Sequence, residues 1–172
     1  MDKATASPNT TVSLDFLQSH MKAQLEGYRL SEEQLCYTSH PLEAVEKCEI
    51  DHTRHPIVIF SHSVMVGFFV LHGWYGVKDY HDNKQAMLIR AYSIDTRYQG
   101  KGIAKTSLQL LPKFVSENFP EINELILAVN ENNEIAQQVY KRTGFKDKGH
   151  RVMGPKGLLH VYHMQVSDPA VY

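Results

Sequence analysis

The sequence predicts an α/β domain in which a mixed sheet carries helices on its faces. Three observations predict it. Apolar runs of strand length fill the middle of the chain. The hydrophobic period then switches twice to helical spacing, each time after an apolar strand. The chain closes on two apolar segments separated by Gly154-Pro155-Lys156-Gly157. Strands, then strand–helix–strand–helix, then a hairpin is the order of a sheet covered by helices. The 172 residues suit a single domain, 1–172, with one full core.

In order along the chain, residues 12–17 read as a first strand. Short amphipathic helices follow near 19–26 and 41–48. In the second, Leu42 and Val45 share a face, and Pro41 holds the favoured first helical position. Pro56-Ile57-Val58-Ile59-Phe60 and the run 64–72 (VMVGFFVLH) read as strands joined by a tight turn at Ser61-His62-Ser63. Residues 74–85 read as a long polar loop with aromatics, and 86–95 (AMLIRAYSID) as a third long strand. Residues 102–118 place Ile103, Leu108, Leu111 and Val115 at helical spacing, and Pro112 is expected to bend that helix. Residues 123–129 (NELILAV) form a strand, and 132–142 a helix opened by an Asn and closed before Gly144. Residues 145–152 and 158–166 are expected to pair as the closing hairpin. Residues 1–11 and 167–172 read as loose tails.

Composition narrows the function. Hydrophobic residues make up 42% and charged residues 22%, as in ordinary globular proteins. A formal net charge of −1 exerts no long-range pull toward nucleic acid or anionic membrane. No apolar run reaches the length of a membrane span. The first residues lack the apolar segment of a secretory signal, so a cytoplasmic protein with Cys36 and Cys48 reduced is expected. The sequon Asn9-Thr10-Thr11 is then a chance match. Cys48-x-x-x-His52-x-x-His55 offers three possible ligands at a spacing that fits no standard zinc pattern, and no metal is expected.

The most informative stretch is Ile94-Asp95-Thr96-Arg97-Tyr98-Gln99-Gly100-Lys101-Gly102-Ile103-Ala104, where a strand ends and a helix begins. Gly100 and Gly102 let the backbone turn tightly and approach a ligand. The amides opening the next helix lack helical partners and carry its positive dipole end. Together these suit a pyrophosphate, with Lys101 and Lys105 adding charge. A Gly-x-Gly by itself is equally a plain strand-to-helix turn, and neither a Walker loop nor a dinucleotide fingerprint is present. The whole segment is more specific. Arg97-x-x-Gly100-x-Gly102 after an apolar strand resembles the acetyl-CoA signature of the GNAT superfamily of N-acyltransferases, with Gln99 where many members have Arg.

A second block resembles the same family. Asn133, Ala136, Tyr140, Gly144 and Phe145 match its Asn-x-x-Ala-x-x-x-Tyr-x-x-x-Gly-Phe pattern. Asn133 and Tyr140 stand seven apart, on one helical face, with the small Ala136 between them. Taken alone, Tyr140 reads as an amphipathic tyrosine at a helix–sheet contact. The resemblance, covering roughly residues 64–166, implies a mostly antiparallel twisted sheet whose central strands splay, with helices on both faces and pantetheine in the gap. It implies that Tyr92, Ser93 and Ile94 offer backbone groups to pantetheine. Residues 99–104 (Gln99, Gly100, Lys101, Gly102, Ile103, Ala104), with Arg97 of the motif, would hold the pyrophosphate. Asn133 and Ala136 would face the cofactor, and Tyr140 would approach its sulfur.

The implied reaction is direct attack of an amine on the acetyl thioester. Tyr140, with an ordinary pKa near 10, is the candidate general acid. A backbone N–H near Tyr92 is the candidate oxyanion donor. His72, His81, Asp79, Asp82, Tyr92 or a water chain are candidate bases. The acceptor surface would come from residues 24–37, 74–85 and 151–159. The layout, including Gln34-Leu35-Cys36-Tyr37 and Asp82-Asn83-Lys84, is similar to that of bacterial spermine/spermidine acetyltransferases, and Trp74, Tyr75, Tyr80, Asp79 and Asp82 would suit a cationic amine. Arg90 argues the other way: facing the acceptor, it would repel a polycation and suit a carboxylate or phosphate. A strand bulge would decide which way it points. A small-molecule amine is the expected acceptor. A protein or peptide acceptor, or a non-catalytic acyl-CoA sensor, would use the same loop. The resemblance also suggests a homodimer.

Overall fold

The computed structural model describes residues 11–167. Seven strands form one sheet: β1 (Val12–Phe16), β2 (Arg54–Ser61), β3 (Val64–His72), β4 (Ala86–Ile94), β5 (Glu124–Asn130), β6 (Lys146–Gly154) and β7 (Gly157–Gln165), in the order β1-β2-β3-β4-β5-β7-β6. Among the described residues only β4 and β5 run parallel. A parallel neighbour needs a crossover, and a helix supplies it. The helices are α1 (Glu32–Leu35), α2 (Pro41–Ile50), α3 (Trp74–Val77), α4 (Ile103–Asn118) and α5 (Glu134–Arg142), preceded by a 3-10 helix over Ser19–Gly27. No helix among the described residues is long and apolar enough to cross a membrane.

The alternation of strand side chains sorts the core into two faces. On one, Ile57, Ile59, Phe69, Leu71, Met87 and Ile89 pack beneath Leu108, Leu111 and Val115 of α4. Those three recur at helical spacing, and the helix runs unbroken through Pro112 to Asn118. The other face holds two smaller clusters. Val58, Phe68 and Val70 meet Ala44, Val45 and Cys48 of α2. Ala86, Leu88, Ile126 and Val161 meet Val77 of α3, with Trp74 and Tyr80 alongside.

β4 is irregular where it matters. Val70 pairs with Arg90 and Phe68 with Ser93, so Phe69 alone faces the extra residue pair Ala91-Tyr92. Ala91 takes the left-handed conformation (φ 51) that accompanies this bulge. The bulge reverses the side-chain parity. Ile89 and Tyr92 share the α4 face, whereas Arg90, opposite Val70, lies on the other. β4 and β5 pair only from Ala86↔Glu124 to Ile89↔Leu127. Beyond that point the strands part, as the sheet expected from the family resemblance requires.

Two expectations need correction. Residues 74–85 are not simply a polar loop: Trp74–Val77 is a helical turn, driven by burial of Val77 and packing of Trp74 and Tyr80 on β4 and β5. The 132–142 helix starts two residues later, because Asn133, not Asn132, caps it by accepting from Ala136 N at 3.3 Å. One helix, α1, was not expected at all. Of the expected tails, Thr11 accepts from His62 N and leads into β1. Residues 1–10, with the Asn9 sequon, and 168–172 lie outside the described residues.

α3 also fixes one glycine. A Cβ on Gly76 would collide with the imidazole of His72, which is 3% exposed. Gly76→Ala is expected to cost about 1–3 kcal/mol, the usual range for overpacking. Urea unfolding measures it, and an unchanged midpoint would mean that the ring has room to move.

Candidate active site

The loop between β4 and α4 is built around one carboxylate. Asp95 is 0% exposed and accepts four hydrogen bonds: from Arg97 N and Nε (both 3.0 Å), Arg97 Nη2 (2.7 Å) and Arg29 N (3.0 Å). Burial pushes its pKa up, but the Arg97 side chain and the two amides outweigh that, and the carboxyl lies below its ordinary value. Arg97 Nη2 also reaches Gly27 O at 3.0 Å, and Thr96 N donates to Arg29 O at 2.9 Å. The loop is thereby stitched to the segment after the 3-10 helix. Gly100 and Gly102 have φ of 74° and 76°, and a Cβ on either would meet nothing within 4 Å. Glycine is needed there for the backbone conformation, and the space above stays open to a ligand. The first amide of α4 to close back is Thr106 N, onto Gly102 O at 3.1 Å. The N–H groups of Ile103, Ala104 and Lys105 precede that first closure.

A cavity of about 740 Å³ lies where β4 and β5 part. It brings together Tyr92, Ser93, Ile94, Gln99, Gly100, Gly102, Ile103 and Ala104 from one side and Asn133, Ala136 and Tyr140 from the other. Two residues expected at the cofactor do not line it. Arg97 is turned onto Asp95 and Gly27, so it holds the loop's shape. Lys101 stands 5.6 Å from the Tyr98 ring and lines a smaller neighbouring cleft. The carbonyls of Ser93 and Ile94 are already engaged. Tyr28 Oη donates to Ser93 O at 2.9 Å, and Gln34 and Gln99 donate to Ile94 O at 2.9 and 3.1 Å. Of the three β4 residues, Tyr92 alone keeps a carbonyl that no side chain caps.

Tyr140 lies between Tyr92 and Phe145, its ring edge-on to both at 6.2 and 5.9 Å. Its hydroxyl makes no hydrogen bond among the described residues, and it lines the cavity. Burial raises its pKa, so it stays protonated far above neutral pH. Tyr92 differs: its hydroxyl is engaged, with Ser107 Oγ at 2.6 Å and Ala104 O at 3.3 Å, and burial raises it as well.

The candidate bases are dispersed. His72 does not line the cavity, and burial together with Arg54 and Arg90 lowers it to about 4. Asp79 and Asp82 are not lining residues either. His81 is bound to Glu124 Oε1 at 2.7 Å, and His163 Nδ1 meets Glu124 Oε2 at 3.2 Å. These three offer ligand atoms within 4.8 Å of one another, yet they sit at the start of β5, the opposite end from the cavity. Their hydrogen bonds tie the 74–85 segment to β5 and β7. Cys48, His52 and His55 form no such group among the described residues.

Sequence reasoning missed α1. Its residues Glu33 and Gln34, with Tyr37 and Thr38 just after, line the cavity. Glu33 is the one carboxylate among the lining residues. The signal was present: Ser31-Glu32-Glu33-Gln34 is a capping box, and Ser31 Oγ and Gln34 Oε1 each accept from the other's backbone N–H (3.1 and 2.9 Å). Above α1, Lys156 in the β6–β7 turn donates to Cys36 O at 2.8 Å and accepts at its carbonyl from Asn130 Nδ2 at 3.0 Å. The hairpin tip is thereby tied to the end of α1 and to β5.

Residues 21–145 match the acetyltransferase (GNAT) family. The chain belongs to that family. An uncharacterised N-acetyltransferase of Bacillus subtilis (strain 168), YbbJ, is 37% identical over 153 residues, covering 88% of this chain and 96% of that protein. The spermine/spermidine N(1)-acetyltransferase of the same organism is 27% identical over 140 residues, covering 81% and 90%. Among solved structures, an aminoglycoside acetyltransferase in complex with coenzyme A and kanamycin aligns with a TM-score of 0.74 at 18% identity, covering 90% of this chain and 94% of that one. This GNAT protein is an N-acetyltransferase by family, and its fold is that of the family.

Asp95→Asn keeps the shape of the hub and removes its charge. It is expected to destabilise the protein by about 1 kcal/mol or more and to raise KM for acetyl-CoA. Because the folded-state pKa is depressed, the stabilisation is complete above the ordinary carboxylate value of 3.8 and is lost as pH falls through the lower folded value. Thermal midpoints of the two proteins, compared from pH 7 to pH 2, should converge only below pH 3.8.

Proposed function

We propose that the protein transfers the acetyl group of acetyl-CoA directly to the primary amine of a small molecule, with Tyr140 as general acid. The observation that carries this reading is the Tyr140 hydroxyl: protonated at neutral pH, without a hydrogen bond among the described residues, and in the same cavity as the Gly100–Gly102 loop. The loop amides and the start of α4 take the pyrophosphate. Lys105 and Arg142, which line the cavity near those elements, add positive charge.

In the reaction the amine nitrogen forms a bond to the acetyl carbon while the carbon–sulfur bond breaks. The backbone N–H of the Tyr92 region meets the developing oxyanion. Tyr140 gives its proton to the departing sulfur and regains one from the amine through solvent. An ammonium acceptor loses a further proton before it attacks, and Glu33, exposed at the rim, passes that one to solvent. No covalent acyl-enzyme is required. Cys36 and Cys48 do not line the cavity, and Cys48 is buried within α2.

The setting we infer is the cytosol, which suits two free cysteines, one of them exposed. Pairing of two copies would use the C-terminal strands, where β6 ends the sheet.

Tyr140→Phe is expected to lower kcat by about 100-fold or more while acetyl-CoA affinity, read by calorimetry, stays the same. Since burial raises the phenol, kcat/KM should climb with pH as the amine deprotonates, with no alkaline decline below about pH 10. A decline there, or a Phe variant of full activity, would remove Tyr140 from the role.

A further inference from the structure

The acceptor end of the cavity carries a cation that the reaction does not use. Arg90 lines the cavity, on the sheet face away from α4. Its guanidinium makes one hydrogen bond among the described residues, from Nη1 to His72 Nδ1 at 3.4 Å, and no ion pair. Asp51 and Asp79 are near enough to influence it, but neither pairs with it; Asp51 instead contacts Thr53, Arg54 and, through Nε2 at 3.2 Å, His72. A guanidinium has five N–H donors in a fork that matches a carboxylate or phosphate. The other four make no hydrogen bond among the described residues and are open to a ligand's anion in the cavity.

His72 fixes that fork in place. Its Nδ1 accepts from Arg90, so its proton resides on Nε2, toward Asp51. Burial and the flanking Arg54 and Arg90 keep the ring neutral. A neutral ring accepts from Arg90 without cancelling its charge. Gly76 packs against the same ring. Glu33 is the lone lining carboxylate, and Thr38 Oγ1, also lining, is buried without a hydrogen-bond partner among the described residues. A polycation would find one acid and a guanidinium here. A zwitterion would find a partner for each end.

We propose that the acceptor is an amine that also bears an anionic group, carboxylate or phosphate, with the anion held by Arg90 and the ammonium drawn toward Glu33. This rests on the acetyltransferase reading and narrows its substrate class away from polyamines. Arg90 is a specificity-determining residue in this arrangement, and His72 positions it.

The test measures thiol release from acetyl-CoA with paired acceptors. The pairs are α-amino acids and their decarboxylated amines, and O-phosphoethanolamine and ethanolamine, with spermidine alongside. An anionic member is expected to exceed its neutral partner in kcat/KM by about 10- to 100-fold, mostly through KM. The carboxylate and phosphate arms separate the two sources of anion. Arg90→Gln should collapse the ratio toward one, and Arg90→Lys should retain part of it. Circular dichroism establishes that both variants fold. Spermidine or the neutral amines matching or exceeding every anionic partner would overturn the proposal. So would calorimetry showing that no anionic amine of the panel binds the CoA-loaded protein. Binding of an anionic amine that Arg90→Gln abolishes, with no thiol release from any acceptor, would instead keep the anion site and defeat the acetyltransferase reading.

Discussion

The rest of the site depends on a break in a hydrogen-bond ladder. β4 and β5 are parallel neighbours for four residue pairs and then separate after Ile89 and Leu127. Parting two central strands exposes peptide groups that the fold must satisfy elsewhere or leave to a ligand. Ser93 and Ile94 show the first solution, with their carbonyls capped by Tyr28, Gln34 and Gln99. The cavity shows the second. The bulge at Ala91 gives β4 its departure from regular pairing, and a left-handed alanine is a cost the surrounding contacts must hold. Buried Asp95 does the holding on one side by binding the loop to residues 27–29. The Asn130–Lys156–Cys36 chain does so on the other.

Much of this was legible in the sequence, for a definite reason. The long strands and α4 carry strong periodicity because each is covered on at least one face by core, so pattern and burial coincide. Gly100 and Gly102 were readable because a left-handed backbone leaves few residue choices. Arg97 reads as a phosphate contact from its place in the motif, whereas in the structure its charge is taken by Asp95 two residues earlier. α1 escaped because four residues with no buried side chain give no hydrophobic period. Its capping box was the one available mark. α3 escaped because its packing partners, Ile126 and Val161, are distant in sequence.

Arg90 illustrates what only coordinates supply. Its residue type was plain and its strand was assigned, yet its direction turned on a single inserted residue at the bulge. The sequence could place a positive charge near the site and could not say on which side of the sheet it falls. The side chain that meets it, His72, comes from β3.

The two halves of the cavity are made of different material. The half at the Gly100–Gly102 loop presents peptide groups, with open space where side chains would otherwise stand. The half at α1 and Arg90 presents side chains. Mutation alters side chains freely and peptide groups hardly at all. Over evolutionary time this design lets acceptor preference drift by single codon changes while the donor stays fixed. Paralogues descended from such a chain would diverge in diet before they diverged in chemistry.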